Sequence, residues 1–142
     1  INNYASLIIS NITFIIPFST WMMKGYFDSI PTTLEEAARI DGCSRLQSVR
    51  KVILPLATPG IAATATYSAI LGWSEFLFAR TFITQPQKWT VTVGISSLMG
   101  EYTIIWGEVM AAAALSVLPI ALVFVFLEKY MVAGVTAGAV KG

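Results

Sequence analysis

Three long stretches of the sequence contain no Asp, Glu, Lys or Arg and consist mainly of apolar side chains. They cover residues 1–23, 52–74 and 109–127, which is 23, 23 and 19 residues. A helix needs about 20 predominantly apolar residues to cross the hydrocarbon core of a bilayer, so each stretch is long enough to span it. The pattern predicts an all-α membrane protein with three transmembrane helices, at about residues 4–23, 57–79 and 108–128.

Composition agrees with this class and argues against several others. Apolar residues make up 56% of the chain and charged residues 12%, so three buried helices of a soluble domain would leave too little polar surface for water. The net charge of +1, without a basic block, argues against a nucleic-acid partner. Because the chain has no His and a single Cys, we expect no catalytic residue, metal or cofactor, and we interpret Cys43 as a small inert residue.

Positive charges are unevenly divided between the two connections that join the predicted spans. The first connection, at about residues 24–51, has five Lys or Arg residues, and the second, at about residues 75–108, has two. The positive-inside rule therefore predicts a cytoplasmic first connection, an external second connection and a cytoplasmic tail carrying Lys129 and Lys141. Residue 1 then lies outside. The chain starts within an apolar run without an initiator Met, so we expect an amino-terminally truncated part of a longer multi-pass protein.

The first connection contains signals for the start of a short helix. Pro31 fits the first position of a helix. Thr32 with Glu35, or Thr33 with Glu36, matches the capping box, in which a hydroxyl and a carboxylate satisfy amides that have no acceptor within the helix. These residues predict a helix that begins at about Pro31.

The end of this helix and the start of a second one are also marked. Gly42 fits the left-handed position that follows a helix, which we expect to end at about Asp41. Ser44 with Gln47 matches a second capping box, for a helix that Pro55 should stop. The first connection is therefore predicted to be a bent pair of short helices.

A helical wheel of the first short helix separates its apolar side chains from its charged ones. The small or apolar arc is formed by Leu34, Ala37, Ala38 and Ile40, and the opposite arc by Glu35, Glu36 and Arg39. Asp41 lies on the small-residue arc at the carboxyl end of the helix, where a negative charge costs roughly 0.3 to 1 kcal/mol. We therefore expect Asp41 to face a cation, either Arg45 or one that a partner supplies.

The spacing of Glu36-Ala37-Ala38, three residues, Gly42, nine residues and then the segment 52–55, Val-Ile-Leu-Pro, resembles the EAA loop of binding-protein-dependent ABC importer permeases. Val52 stands where the family pattern has Ile, which is a conservative change. Longer matches over residues 34–42, 73–79 and 134–142 resemble the carbohydrate-uptake branch, in particular the maltose-type permeases. The resemblance covers essentially all 142 residues and begins at the span before the loop.

This resemblance implies a MetI-like permease transmembrane domain, here one domain over residues 1–142 with a cytoplasmic coupling loop at about residues 24–55, in the inner membrane of a prokaryote. A second permease subunit would complete the pathway through the lipid bilayer. A dimer of cytoplasmic ATP-binding subunits would hydrolyse ATP, and an external sugar-binding protein would deliver a sugar or oligosaccharide. The residues that would couple to the ATPase are Glu35, Glu36, Ala37, Ala38, Asp41 and Gly42.

Two alternative functions stay open. The permease could carry another small solute, such as glycerol phosphate or a polyol, because cargo choice is shared with the binding protein and the partner permease. The chain could also be a non-transporting membrane scaffold that docks a cytoplasmic partner. In that case partner ATPase activity would not depend on any solute.

Polar residues within the predicted spans are candidates for the substrate pathway. Thr64, Ser68 and Glu75 share one helical stripe, and Asn11 is a polar residue of the first span. For Asn11 the alternative is a hydrogen bond to another helix, and for Glu75 it is an interfacial carboxylate near Arg80.

The external connection is expected to be a loop followed by a helix over about residues 96–114 that runs into the last span. Its aromatic residues Trp89, Tyr102 and Trp106 fit either a surface for the binding protein or an aromatic belt of the membrane.

Overall fold

The computed structural model describes residues 2–100 and 104–139, with residues 132–139 described as backbone only. Tyr102 and Lys141, which entered the interpretation above, lie outside this range. The described residues contain no β-strand, and an isolated bridge pairs Met99 with Ile104. The prediction of an all-α chain is therefore confirmed for this part of the protein. The chain divides into two compact units, residues 1–16 with 67–124 and residues 17–66 with 125–142.

Two helices are long and apolar enough to cross a membrane. Helix α1 covers Tyr4–Asp28, and the last helix, α8, covers Trp106–Ala139, of which Trp106–Met131 meets this criterion. A third crossing is formed if the bent pair Arg45–Leu56 and Thr58–Ser74 acts as one span. The number of predicted spans thus agrees with two or three suitable helices, while the bilayer boundaries along them stay predictions.

The polar segment after α1 forms two helical pieces, as predicted, but their ends differ in detail. Helix α2 covers Thr32–Ile40 and has Pro31 at its cap without any side-chain hydrogen bond, so the predicted capping boxes of Thr32 or Thr33 are wrong. The second piece begins with α3, Arg45–Ser48, after the predicted cap at Ser44. Because Pro31 takes the cap position, the threonines fall inside the first turn, where their hydroxyls do not reach the free amides.

The second piece continues further than expected. A π-helical turn, Val49–Ile53, follows α3, and α4 covers Leu54–Leu56. Pro55 lies near the start of α4, where a proline is tolerated, so the expectation that it stops the helix is wrong. The helix instead bends by 66° into α5, Thr58–Ser74.

The connection between α5 and the last helix is made of short elements. Helix α6 covers Leu77–Phe82, a 3₁₀ turn covers Pro86–Lys88 and α7 covers Val91–Ser97. Because α7 ends at Ser97 and α8 begins at Trp106, the predicted continuous helix over residues 96–114 is wrong. Likewise, the helix over the second predicted span ends at Ser74 and does not continue to residue 79.

The first unit has a small apolar core around α6. Leu7 of α1, Ala79 of α6 and Val93 of α7 are buried together, with Phe78 and Trp89 packed against them. The ring of Phe78 lies 5.5 Å, between centroids, from that of Phe14. This core brings the start of α1 against α6 and α7.

In the second unit, α1 meets α5 where Gly60 faces Tyr26. A Cβ atom at Gly60 would lie 2.3 Å from Cγ of the Tyr26 ring, well inside any real contact. Small residues allow membrane helices to approach this closely. The absence of a side chain at Gly60 therefore permits the observed packing of the Tyr26 ring.

Gly60→Ala is expected to lower the free energy of unfolding by about 1 to 3 kcal/mol, the usual effect of overpacking. Thermal unfolding of the purified full-length protein measures it. Gly72→Ala is the matched control on the same helix, since a Cβ there meets no atom within 4 Å. When Tyr26→Ala is already present, adding Gly60→Ala should change the free energy of unfolding no more than the control substitution does. Equal stability of the two single glycine variants would contradict the contact.

Candidate functional site

The carboxyl end of α2 is closed by the glycine that the sequence marked. Gly42 has φ of +87°, a left-handed conformation that glycine adopts without steric cost. Its amide donates to the carbonyl of Arg39 (3.1 Å), and the amide of Cys43 donates to that of Ala38 (3.0 Å). This pair of bonds is the Schellman motif. The left-handed end predicted at Gly42 is confirmed.

The next helix begins with the predicted capping box. The amide of Gln47 donates to Oγ of Ser44 (3.3 Å), and the amide of Ser44 donates to Oε1 of Gln47 (2.9 Å). Both orphan amides of this helix start are satisfied reciprocally. With the Schellman motif two residues earlier, the turn between α2 and α3 has a defined backbone conformation.

The faces of α2 are assigned differently from the helical-wheel prediction. Ala38 is buried, with 7% of its surface exposed, and Glu35 on the same side is half-buried. Ala37 and Glu36 are exposed, and Ile40 is 86% exposed. Ala38 thus packs inside the protein, while Ala37 and Ile40 face outward with Glu36. The wheel grouped Ala37, Ala38 and Ile40 because it contains no information about which side the protein itself covers.

A second apolar side chain stands out on the same segment. Leu46, in the first turn of α3, is 78% exposed. Beside it, Arg50 and Lys51 line an open groove with Leu46 and Gln47. The apolar residues Leu46, Val49, Val52 and Ile53 share one side of a helical wheel, which predicts that Leu46 packs on the bundle, but the structure exposes it.

The charged side chains of α2 and α3 form no ion pair with other described residues. Among the described residues the one ion pair joins Lys24 to Asp28, and both belong to the last turns of α1. Asp41 is exposed and forms no ion pair with Arg45, so Arg45 is not the cation that the sequence predicts beside it. Glu35 and Glu36 also have no cationic partner among the described residues. These carboxylates remain available to a partner protein.

Glu75 occupies the break between α5 and α6. Its Oε1 accepts a hydrogen bond from the amide of Phe78 (2.6 Å) and its Oε2 one from the amide of Ala79 (2.9 Å). The hydroxyl of Thr92 donates to the Glu75 carbonyl (2.6 Å). Both carboxylate oxygens therefore satisfy the start of α6. Arg80 lies over the ring of Trp89, 5.8 Å from its centroid, so Glu75 and Arg80 interact with different partners.

The other pathway candidates have varied surroundings. Asn11 donates to the carbonyl of Leu7 (3.1 Å) in its own helix, so its amide nitrogen does not form the expected hydrogen bond to another helix. Thr64, in the second unit, is 7% exposed and its Oγ1 has no hydrogen-bond partner among the described residues. Ser68, in the first unit, is half-buried. Of the four candidates, Thr64 is the one with a buried side-chain oxygen that has no hydrogen-bond partner among the described residues.

Sequence reasoning missed Asn2. It has φ of +60°, and its side-chain oxygen accepts hydrogen bonds from the backbone amides of Thr84 and Gln85 and from the Thr84 hydroxyl. Asn is among the few residues that adopt a left-handed conformation readily. That preference is the only local signal, because the partners lie more than 80 positions further along the chain.

Two or three helical segments long and apolar enough to span a bilayer, together with a polar helical segment, indicate a membrane protein. Comparison with known families identifies it further: the model of the binding-protein-dependent transport system inner membrane component matches residues 2–137, so the chain belongs to this family. This finding confirms the family resemblance drawn from the EAA spacing.

Individual relatives support the same family. The chain is 40% identical over 143 residues to the trehalose/maltose transport system permease protein MalG of Thermococcus litoralis, covering 100% of this chain and 51% of the relative. It is 38% identical over 128 residues to the maltodextrin transport system permease protein MdxG of Bacillus subtilis (89% and 46%). It is 35% identical over 142 residues to the diacetylchitobiose uptake system permease protein DasC of Streptomyces coelicolor (100% and 51%). The chain spans about half the length of these relatives.

Replacing Gly42 tests the turn between α2 and α3. Gly42→Ala should destabilise it by about 1 to 2 kcal/mol, because a Cβ is disfavoured in the left-handed conformation. Gly42→Asn should be closer to wild type, because Asn tolerates this conformation better. Hydrogen exchange of the Gly42 and Cys43 amides in the full-length protein measures the effect, with faster exchange expected in the Ala variant. Equal exchange in the three proteins would show that the turn does not depend on the Schellman geometry.

Proposed function

We propose that this chain is part of a permease subunit of an ATP-driven importer and couples to cytoplasmic ATPase subunits through α2 and α3. The observation that carries the proposal is the outward face of this segment. Ile40 and Leu46 are the most exposed large apolar side chains of the segment and lie beside unpaired charges. Family membership supports the same function.

Docking explains these exposures physically. An Ile or Leu side chain that leaves water contributes about 1.5 to 3 kcal/mol when fully buried. Two such residues exposed on an otherwise polar segment would become more favourable in free energy if another surface covered them. Glu36, which is exposed next to them, can pair with a basic residue of that surface. An apolar contact framed by charge fits a protein partner, here the ATPase subunit.

The rigidity of the turn supports coupling rather than simple attachment. Movement of a docked ATPase is transmitted only if the contact does not deform. The Schellman motif at Gly42 and the capping box at Ser44 and Gln47 satisfy the backbone on both sides of the bend. Pushing on α2 therefore moves α3 and the helices that follow it.

The orientation and the partners belong to the same proposal. The excess of Lys and Arg on the first connection supports a cytoplasmic α2 and α3, with the carboxyl tail on the same side. A second permease subunit would complete the pathway in the lipid bilayer, two ATP-binding subunits would bind at the cytoplasmic face, and an extracytoplasmic sugar-binding protein would deliver cargo. ATP hydrolysis would take place on the partner chains.

A sugar or oligosaccharide is the proposed cargo. The printed names of the relatives include trehalose, maltose, maltodextrin and diacetylchitobiose transport. Among the pathway candidates, the buried and unsatisfied hydroxyl of Thr64 is best suited to bond to a sugar hydroxyl or to another helix. Asn11, Ser68 and Glu75 are weaker candidates, since Asn11 bonds within its helix and Glu75 satisfies α6.

Crosslinking tests the docking face. In the full-length protein with Cys43→Ser and no other cysteine, Ala37→Cys should crosslink to a cysteine on the co-expressed ATPase subunit, because Ala37 is exposed. Ala38→Cys is the matched control and should not crosslink, since Ala38 is 7% exposed and faces the protein. Crosslinking at Ala37 should also stop cargo-stimulated ATP hydrolysis.

Two other outcomes would count against this function. Crosslinks from Ala38→Cys but not from Ala37→Cys would show that the docking face is on the other side of α2. No crosslink from either position, or from Glu36→Cys, would remove the ATPase as the partner of this segment.

Cargo class is tested with the reconstituted complex. Maltose and longer maltooligosaccharides, presented with the binding protein, should stimulate ATP hydrolysis and appear inside proteoliposomes. Stimulation by glycerol phosphate or by a polyol instead would assign the alternative cargo. ATP hydrolysis that depends on the chain but on no solute would favour the membrane scaffold.

A further inference from the structure

One residue joins the beginning of α1 to the turn that follows α6. The side-chain oxygen of Asn2 accepts hydrogen bonds from the amides of Thr84 (2.7 Å) and Gln85 (3.0 Å) and from the Thr84 hydroxyl (2.8 Å). The Asn2 amide donates to the carbonyl of Phe82 (2.7 Å), and Nζ of Lys88 donates to the Asn2 carbonyl (3.0 Å). We call these five bonds the Asn2 anchor.

The anchor supplies what the backbone of this turn lacks. Helix α6 ends at Phe82 and the 3₁₀ turn begins at Pro86, so Thr84 and Gln85 lie between two helical elements. Their amides have no acceptor from either helix, while the last carbonyls of α6 lack helical donors. Asn2 meets both needs, because it offers an oxygen to the amides and its own amide to Phe82. A residue with an acceptor side chain and access to the left-handed conformation is required at this place.

The anchor also borders the core of the first unit. Ile83, next to the anchored turn, is fully buried, and Leu7, five residues after Asn2, packs with Ala79 of α6. The polar bonds at Asn2 and the apolar contact at Leu7 hold the start of α1 and α6 together at two points. Two attachments resist rotation between the elements, whereas the apolar contact alone permits sliding.

We propose that Asn2 is a positioning residue for transport: it makes the start of α1 and the turn at residues 83–88 move as one body. This inference rests on the proposed function, because it assigns Asn2 to the movement that passes cargo. The side chain acts by accepting hydrogen bonds and does not contact cargo.

Three substitutions separate the acceptor from the backbone conformation. Asn2→Gly keeps access to φ of +60° but removes the acceptor. Asn2→Asp keeps the acceptor oxygens and tolerates the same conformation, and its charge suits the nearby Lys88. Asn2→Ala loses both features.

The test uses the full-length protein in its complex, with Cys43→Ser and no other cysteine, spin-labelled at Ala5→Cys and Gln87→Cys, two exposed positions. Double electron–electron resonance should show a narrow distance distribution in wild type and Asn2→Asp, and a broad one in Asn2→Gly and Asn2→Ala. Unlabelled Asn2→Gly should lower cargo uptake by about fivefold, the factor for roughly one net hydrogen bond, while Asn2→Asp retains uptake.

Each other outcome is informative. Equal distance distributions in all four proteins would overturn the anchor, and broad distributions with full uptake would overturn its role in positioning. Loss of uptake in Asn2→Asp to the level of Asn2→Gly would show that the acceptor oxygen is not what matters. If the wild-type complex itself moved no cargo, the proposed function would fail and the positioning role with it, while the distances would still report whether the anchor exists.

Discussion

Backbone amides and carbonyls need hydrogen-bond partners wherever a helix is interrupted, and this requirement governs the chain. Within apolar surroundings an unsatisfied group costs several kcal/mol, so an interruption persists only where acceptors and donors are supplied. At the end of α2 they come from the backbone itself, through Gly42, and at the start of α3 from Ser44 and Gln47. Glu75 does the same for α6, and Asn2 for the turn after it. Three of these four interruptions are thus closed by a polar side chain, and the fourth by the backbone.

The bend at Ala57 shows a different solution, which keeps the bonds instead of replacing them. The Ala57 amide donates to the Ile53 carbonyl (2.9 Å) and its carbonyl accepts from the Ile61 amide (2.9 Å), so hydrogen bonding continues through a change of direction of 66°. The π-helical turn just before it absorbs an extra residue without leaving the helix. A bend of this kind joins the segment 45–56 to α5 without a break in backbone hydrogen bonding, which is the continuity that the proposed coupling requires.

How much the sequence could predict depended on whether a feature is local. The apolar stretches, the left-handed Gly42 and the capping box of Ser44 with Gln47 involve neighbours within a few positions, and the structure confirms all of these as helical features. The face of α2 that is buried could not be predicted, because a helical wheel puts Ala38 and Ile40 on the same arc and does not show which of them the rest of the protein covers. The anchor at Asn2 involves residues 80 to 86 positions away, which no periodicity reveals. The sequence marks Glu75 as a carboxylate at the end of an apolar stretch, but its hydrogen bonds to the α6 amides depend on a helix break that composition does not mark.

Different physical constraints explain the small residues of this chain, and the difference helps to locate the proposed docking face. Gly60 is small because the Tyr26 ring occupies the place of a side chain, Gly42 because of its backbone conformation, and Ala38 because it is packed inside. Ala37 has no such internal cause, although alanine is also the best helix former and its presence alone decides little. Ile40 decides the matter, since it forms helices less well than alanine and leaves 86% of its surface exposed. Neither helix propensity nor packing within the described residues accounts for an isoleucine at that position, and this is why the proposed docking face is assigned to the side of α2 that carries Ala37 and Ile40.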